Sequence, residues 1–218
     1  IQTVNADDSW SMSYGFASHP DWYYYQSSAD VTDYVAKWGS GDFRVTGVEA
    51  LPLVGVEVDR AFSAWSMVVF YEKLGDELRN LALFDGFTSI DPGIAGQEKA
   101  EVTLSGFLVP TGFTAKMTTF TYEGDTVYTD DFFTFNGTKL ADTENPLDNF
   151  FNSSRSYLGS PVSGASDVPK LSGKPGTMAG FDLDTTNVTS LVKAGDTSAK
   201  VGAASSLDIF ILGGFVTS

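Results

Sequence analysis

The chain has 218 residues, no cysteine and a formal net charge of −15 at pH 7. Without cysteine there are no disulfides, zinc–thiolate sites or thiol catalysis, and the acidic balance, with no basic cluster interleaved with aromatics, argues against nucleic acid as a partner. No run of about 20 apolar residues occurs, so membrane insertion is not expected, and the start at Ile1 without a charged leader reads as a mature or excised piece.

Aromatic and β-branched residues set in short alternating segments point to β structure, because they fill pleated, half-buried surfaces. At this length one sandwich domain spanning 1–218 is the expected organisation. Near the start, Trp10, Met12, Tyr14 and Phe16 alternate with small residues as a strand would, up to the turn His19-Pro20-Asp21. His19 is the only histidine, so no His-rich metal site is available, and its turn position places it at the surface. The run Trp22-Tyr23-Tyr24-Tyr25 fits either a sugar-stacking platform or core packing. Neighbouring side chains on a strand face opposite ways, so at most two of the four share a surface, and core packing is the preferred reading.

From Asp30 the period changes. Val31, Tyr34, Val35 and Trp38 fall at helical spacing between a capping Asp30 and a terminating Gly39. Similar wording returns at Asn187, where Val188, Leu191 and Val192 precede Gly195, so a second short helix is expected there. Each copy leads into a predicted strand, 43–48 after the first and 198–202 after the second. The two helices are expected to plug the ends of a sandwich.

Residues 65–87 carry the strongest signal. The apolar run 65–71 suits a strand buried on both faces; Glu72 to Glu77 supply a charged turn around Gly75; and Leu78, Leu81, Leu83 and Phe84 begin a second strand that stops at Asp85-Gly86. A hairpin of two core strands, central in a sheet, is predicted. Further strands are read at 100–107, 114–122, 131–135 and 207–212, whereas 123–186 is otherwise rich in Gly, Ser, Pro, Asn and Asp and reads as long loops, where a functional site belongs.

Those loops hold Glu123, Asp125, Asp130, Asp131, Asp142, Asn145, Asp148, Asn149 and Asn152. Ca²⁺ takes six to eight oxygens from carboxylates, amides and carbonyls, and loops deliver them from separated segments. Asp125, Asp131, Asn149 and Asn152 are the candidate metal ligands, although Asp and Asn are also ordinary turn residues. No EF-hand spacing occurs, and neither does a G-x-S-x-G elbow. Two loop carboxylates could also serve a glycosidase, but spacing along the chain does not show their separation. Asn136, Asn152 and Asn187 head glycosylation triplets, and no spacing identifies a Lys–Asn crosslink.

The segments ADVTDYV and GSGDFRVTGV, then AWSMVVFYEKLGDELRNLALFDGF, then EGD and NPLDNFFNSS resemble a bacterial domain family of large, adhesin-like secreted or cell-surface proteins. That family's pattern runs DVT..V…GWSLVVVYE…RNL.LFDGF…NP..NFFNS. The resemblance covers residues 29–154, with Ala64 where the family usually has Gly. It implies a secreted or cell-surface bacterial β-sandwich beside other domains of a larger chain, and it implies no catalytic residue.

Together these readings describe an all-β, single β-sandwich of jelly-roll type with two short helices and long loops. The expected function is non-catalytic binding of a glycan or surface-protein ligand through the 123–186 loops with Ca²⁺. A structural spacer and a glycan-cleaving enzyme are the alternatives.

Overall fold

The computed structural model describes residues 2–14, 22–49, 63–165, 167 and 171–218. They are predominantly β and divide into two compact units, Ile1–Glu49 and Ala50–Ser218.

In the first unit, β1 (Asp8–Tyr14) pairs antiparallel with β2 (Trp22–Ser28), and α1 (Thr32–Trp38) follows. The two-residue period of β2 buries Tyr24 and Gln26 on one face and leaves Tyr23 and Tyr25 exposed on the other, across from Ser13 and Ser11. The tyrosine run is therefore split between packing and surface. Asp30 Oδ1 accepts the Thr32 N–H at 2.8 Å just ahead of α1, and Gly39 ends the helix at φ +65°, its N–H returning to the Val35 carbonyl. No residue of α1 is buried, so its apolar stripe is not covered as amphipathic spacing implies. The expected strand at 43–48 is absent, although Phe43 packs edge-on to Tyr34. His19 lies outside the described residues.

The second unit contains β3 (Ala82–Ile90), β4 (Lys99–Ser105), β5 (Lys116–Tyr122), β6 (Asp131–Phe135), β7 (Thr138–Lys139), β8 (Arg155–Tyr157), β9 (Ser160–Pro161), β10 (Phe181–Asn187), β11 (Ser198–Ser205) and β12 (Phe210–Thr217). They form a six-stranded sheet, β3-β12-β5-β10-β8-β9, and a four-stranded sheet, β4-β11-β6-β7, arranged as a sandwich. Pairing is antiparallel except for β8 beside β10. Between the sheets, Phe133, Phe150, Phe151 and Phe210 pack ring to ring, with centroids 4.5 Å apart for Phe151 and Phe210, and Met117, Val201 and Phe215 extend the same core. On β5 the alternate residues Phe120 and Tyr122 join Met178, Phe181 and Leu183 in a separate cluster, so the six-stranded sheet has an apolar cover on part of its other face. Gly214 marks a register shift in β12; a Cβ there would collide with the Phe120 ring and the Phe84 carbonyl.

Three expectations are corrected. Residues 65–71 belong to no strand, and Trp65, Val68, Val69, Phe70 and Tyr71 are exposed, as are Leu74 and Leu78. Composition showed that this run could form a strand; the ladders went elsewhere, with β12 as the described partner of β3 and Phe84 stacked on Phe215 at 4.8 Å. Second, Asp85-Gly86 do not stop the strand, because β3 runs through them to Ile90. Third, the helix expected after Asn187 is a single 3₁₀ turn, Thr189–Leu191. The Val188 N–H is held by the Ala115 carbonyl, Thr189 binds Asn187 Oδ1 and Ala115, and both Val188 and Val192 are drawn into the core, leaving no free turn to propagate. Residues 123–186, read mostly as loops, also contribute β7 to β10 and the fully buried Phe150 and Phe151.

Truncating a central ring should therefore outweigh truncating the exposed run. Phe210→Ala is expected to cost about 3–5 kcal/mol in urea unfolding, whereas Leu78→Ala should stay within about 0.5 kcal/mol. Equal losses would place 74–78 in the core after all.

A candidate cation centre in the sandwich interior

Strand period and register bring carboxylates inside. Asp182 and Asp184 sit two apart on β10, so both face the interior, where Thr121 and Thr119 of β5 stand beside them. Asp131 opens β6 on the opposite sheet, and Asp208 precedes β12. All four are at most 3% exposed, and Asp125 is 7% exposed. Burying that many carboxylates is costly unless each is protonated, hydrogen-bonded or paired with a cation.

Each acid satisfies one oxygen locally. Asp131 Oδ1 accepts the Phe151 N–H at 2.8 Å, and Asp182 Oδ1 accepts the Ser154 N–H at 2.9 Å. Asp184 Oδ1 accepts the Ser156 hydroxyl at 2.6 Å and the Ser154 hydroxyl at 3.2 Å. Asp208 Oδ1 takes the Ile209 N–H. Asp125 Oδ1 takes the N–H groups of Val127 and Tyr128, and Asp142 Oδ1 those of Glu144 and Asn145, each closing a turn.

The second oxygen is left over. Asp131 Oδ2, Asp142 Oδ2, Asp182 Oδ2, Asp184 Oδ2 and Asp208 Oδ2 are buried without a hydrogen-bond partner, and so are the amide oxygens of Asn149 and Asn152. Buried polar atoms are almost always paired, so seven such oxygens make these side chains the candidate site. The backbone is shaped to the same end. A Cβ at Gly124 would collide with Asp182 Oδ2 and with the Phe151 carbonyl oxygen, so only glycine passes there, and Glu123, Asp130 and Ser153 hold left-handed φ values of +72°, +69° and +61°.

The carboxyls also oppose one another. Burial, then the charge of Asp125, pushes Asp131 up to about 7, and burial pushes Asp184 up to about 7 against the hydroxyl and amide bonds it accepts. Asp208 is pushed up to about 9 by burial, then by Glu123, Asp125 and Asp131. Asp182 lies well above the carboxylate range through burial and the neighbouring Asp184. Among the described residues, the charges that act on these four acids are those of other carboxylates. Among the described residues the half-buried ion pair Arg155–Asp167 lies outside this group.

The four ligands expected from sequence fall in this region: Asp131 and Asn149 share a backbone bridge, Asn152 Nδ2 donates to the Asn149 carbonyl, and Asp131 carries the charge effect of Asp125. Sequence reading missed Asp182, Asp184 and Asp208. The D-x-D alternation in FDLDTT was the available signal, since a period of two puts both acids on one face. Among the described residues no group of three or more His, Cys, Asp or Glu side chains is placed to hold a metal ion. An apolar cavity of about 310 Å³, lined by Phe84, Phe107, Val109, Phe113 and Val192, involves none of the acids.

Comparison with family models, curated proteins and solved structures found no match.

The pH response has a definite sign. Folded Asp131 and Asp184 titrate near 7 and Asp208 near 9, against 3.8 ordinarily, so between these values the folded chain holds more protons than the unfolded one. In EDTA, stability is expected to be greatest near pH 4 and to fall as pH rises through about 7 and then about 9. Melting scans across pH check this, and Asp208→Asn should flatten the alkaline part of the decline. Rising stability over that range would contradict the assignment.

Proposed function

We propose that this chain is a non-catalytic binding domain of a secreted or cell-surface, adhesin-like bacterial protein, a β-sandwich of jelly-roll type whose loops are organised by Ca²⁺ and engage a glycan or protein ligand. The observation that carries the cation is the set of buried oxygens without hydrogen-bond partners on carboxylates and amides. Hard oxygen donors in that mixture suit Ca²⁺, which tolerates irregular geometry and takes several ligands from separate loops. The adhesin-like setting is supported by the sequence resemblance across 29–154.

The ligand surface follows from what the acids anchor. Asp125 holds the turn from which Val127 and Tyr128 project, and Asn149 ends the turn that carries Leu147; all three of these apolar side chains are exposed. Exposed aromatic and aliphatic groups on backbone fixed from below form a pre-organised contact surface. The enclosure of Asp131, Asp182 and Asp184 supports a non-catalytic reading, since a glycosidase acid must reach the scissile bond. A second reading, a spacer that packs against a neighbouring domain, draws support from the exposed apolar segment 65–81.

After EDTA treatment, added Ca²⁺ is expected to raise the melting temperature by several degrees; an unchanged melt removes the cation from this reading. On a glycan array, Tyr128→Ala should lose signal while keeping the Ca²⁺-dependent melt. A chain that melts with Ca²⁺ dependence yet binds nothing on glycan or protein arrays favours the spacer.

A further inference from the structure

We propose that a cavity at the end of the sandwich away from the buried acids binds a small apolar carboxylate, its hydrocarbon part held between the sheets and its carboxylate held by Arg79. This goes beyond the cation reading and does not depend on it, because the cavity and the acids share no residue.

Register places the cavity. Strand β5 starts in it with Met117 and leaves it for Tyr122, which pairs with Phe181 next to Asp182. Likewise β6 starts at Asp131 and reaches the cavity with Phe135. The floor is the core itself: Leu104, Met117, Phe135, Val188, Val192 and Ala199 line the cavity and are each at most 8% exposed. Cores seldom leave voids larger than a water molecule, and an apolar cavity of about 150 Å³ is enough to take a benzene. This one has a volume of about 310 Å³. The floor side chains give water none of the two to four polar partners it needs, so the inner part of an occupant is hydrocarbon.

Hydrogen bonds fix the walls. The loop between β4 and β5 lines one side and is tied at its middle and its end. Val109 donates to the Asp196 carbonyl and accepts from the Gly195 N–H, both at 2.9 Å, while the Ala115 carbonyl accepts the Val188 N–H at 3.0 Å and the Ala115 N–H donates to Thr189 Oγ1 at 2.9 Å. These bonds hold the loop off the floor, and a preformed apolar cavity of this kind is what small ligands use. At the mouth, Leu78 and Leu108 are exposed and extend the apolar lining outward.

Charge selects the other end of the ligand. Two cationic side chains line the cavity. Lys116 alternates with the inward Met117, and its ammonium bonds the Tyr157 hydroxyl at 3.2 Å and lies 5.5 Å from that ring, which is outside the lining. Arg79 is the cation left for the mouth, where its Nη1 donates to Thr114 Oγ1 at 3.0 Å. A guanidinium has five N–H donors in a fork that matches a carboxylate, so donors remain for one. Glu77 stands at the same rim but is exposed, where solvent and salt screen it.

The test is ¹³C-methyl methionine NMR of the 218-residue chain titrated with sodium decanoate. The four methionines report separately: Met117 on the cavity floor, Met67 in the exposed apolar run, Met178 in the second cluster and Met12 in the first unit. Decanoate is expected to shift Met117 saturably at one site per chain and to leave the other three in place. A shift of Met67 without Met117 puts the probe on the exposed run and overturns the inference, as does no shift at all. Arg79→Gln is expected to weaken decanoate about tenfold while leaving 1-decanol unchanged, since a charge-assisted bond is lost only with the carboxylate. Equal loss for both probes, or no loss for either, overturns the role of Arg79.

Discussion

Carboxylates buried beside other carboxylates, enclosed between two sheets, are the constraint on which the second unit turns. Solvent is excluded by the same phenylalanines that make the core, and Asp131 takes its backbone hydrogen bond from one of them, Phe151. The apolar cluster and the acidic cluster therefore share a wall. Packing that holds Phe150 and Phe151 at the centre also fixes the chain around Asn149, Asn152 and Ser154, and the orphaned oxygens follow from that placement.

Their arrangement connects the two sheets. Asp131 belongs to the four-stranded sheet and Asp182 and Asp184 to the six-stranded one, with loop residues from 123–125 and 142–154 between. Repulsion among ionised acids drives these parts away from one another, and a divalent ion reverses its sign. In the proposed reading, loop order and sheet-to-sheet packing answer to the same charge balance. That couples the exposed Val127, Tyr128 and Leu147 to the interior, since the turns that present them end in the acidic region.

The apolar surface elsewhere has a different character. Residues 65–81 expose a run of large hydrophobic side chains without strand pairing, and the cavity lined by Phe84 and Phe113 opens into the apolar part of the core. A sheet domain that leaves such surface uncovered has unused capacity for association. This is separate chemistry from the buried acids, and it is the reason a spacer role stands beside ligand binding.

Local pattern was enough for part of this. The β class, the β6 strand at Asp131–Phe135, the short helix after Asp30 and the loop region holding Asp125, Asp131, Asn149 and Asn152 all follow from periodicity, capping and turn chemistry, which act between near neighbours. What the sequence by itself determined was which segments suit strands and where oxygen donors are concentrated. Tertiary structure alone decided which strands pair, and so why 65–71 lies outside the sheets and why the turn after Asn187 stops at three residues. It also brought Asp182, Asp184 and Asp208 to Asp131 across at least fifty residues of chain. Partner choice and burial are long-range properties, set by register and by which faces exclude water, and no local spacing encodes them.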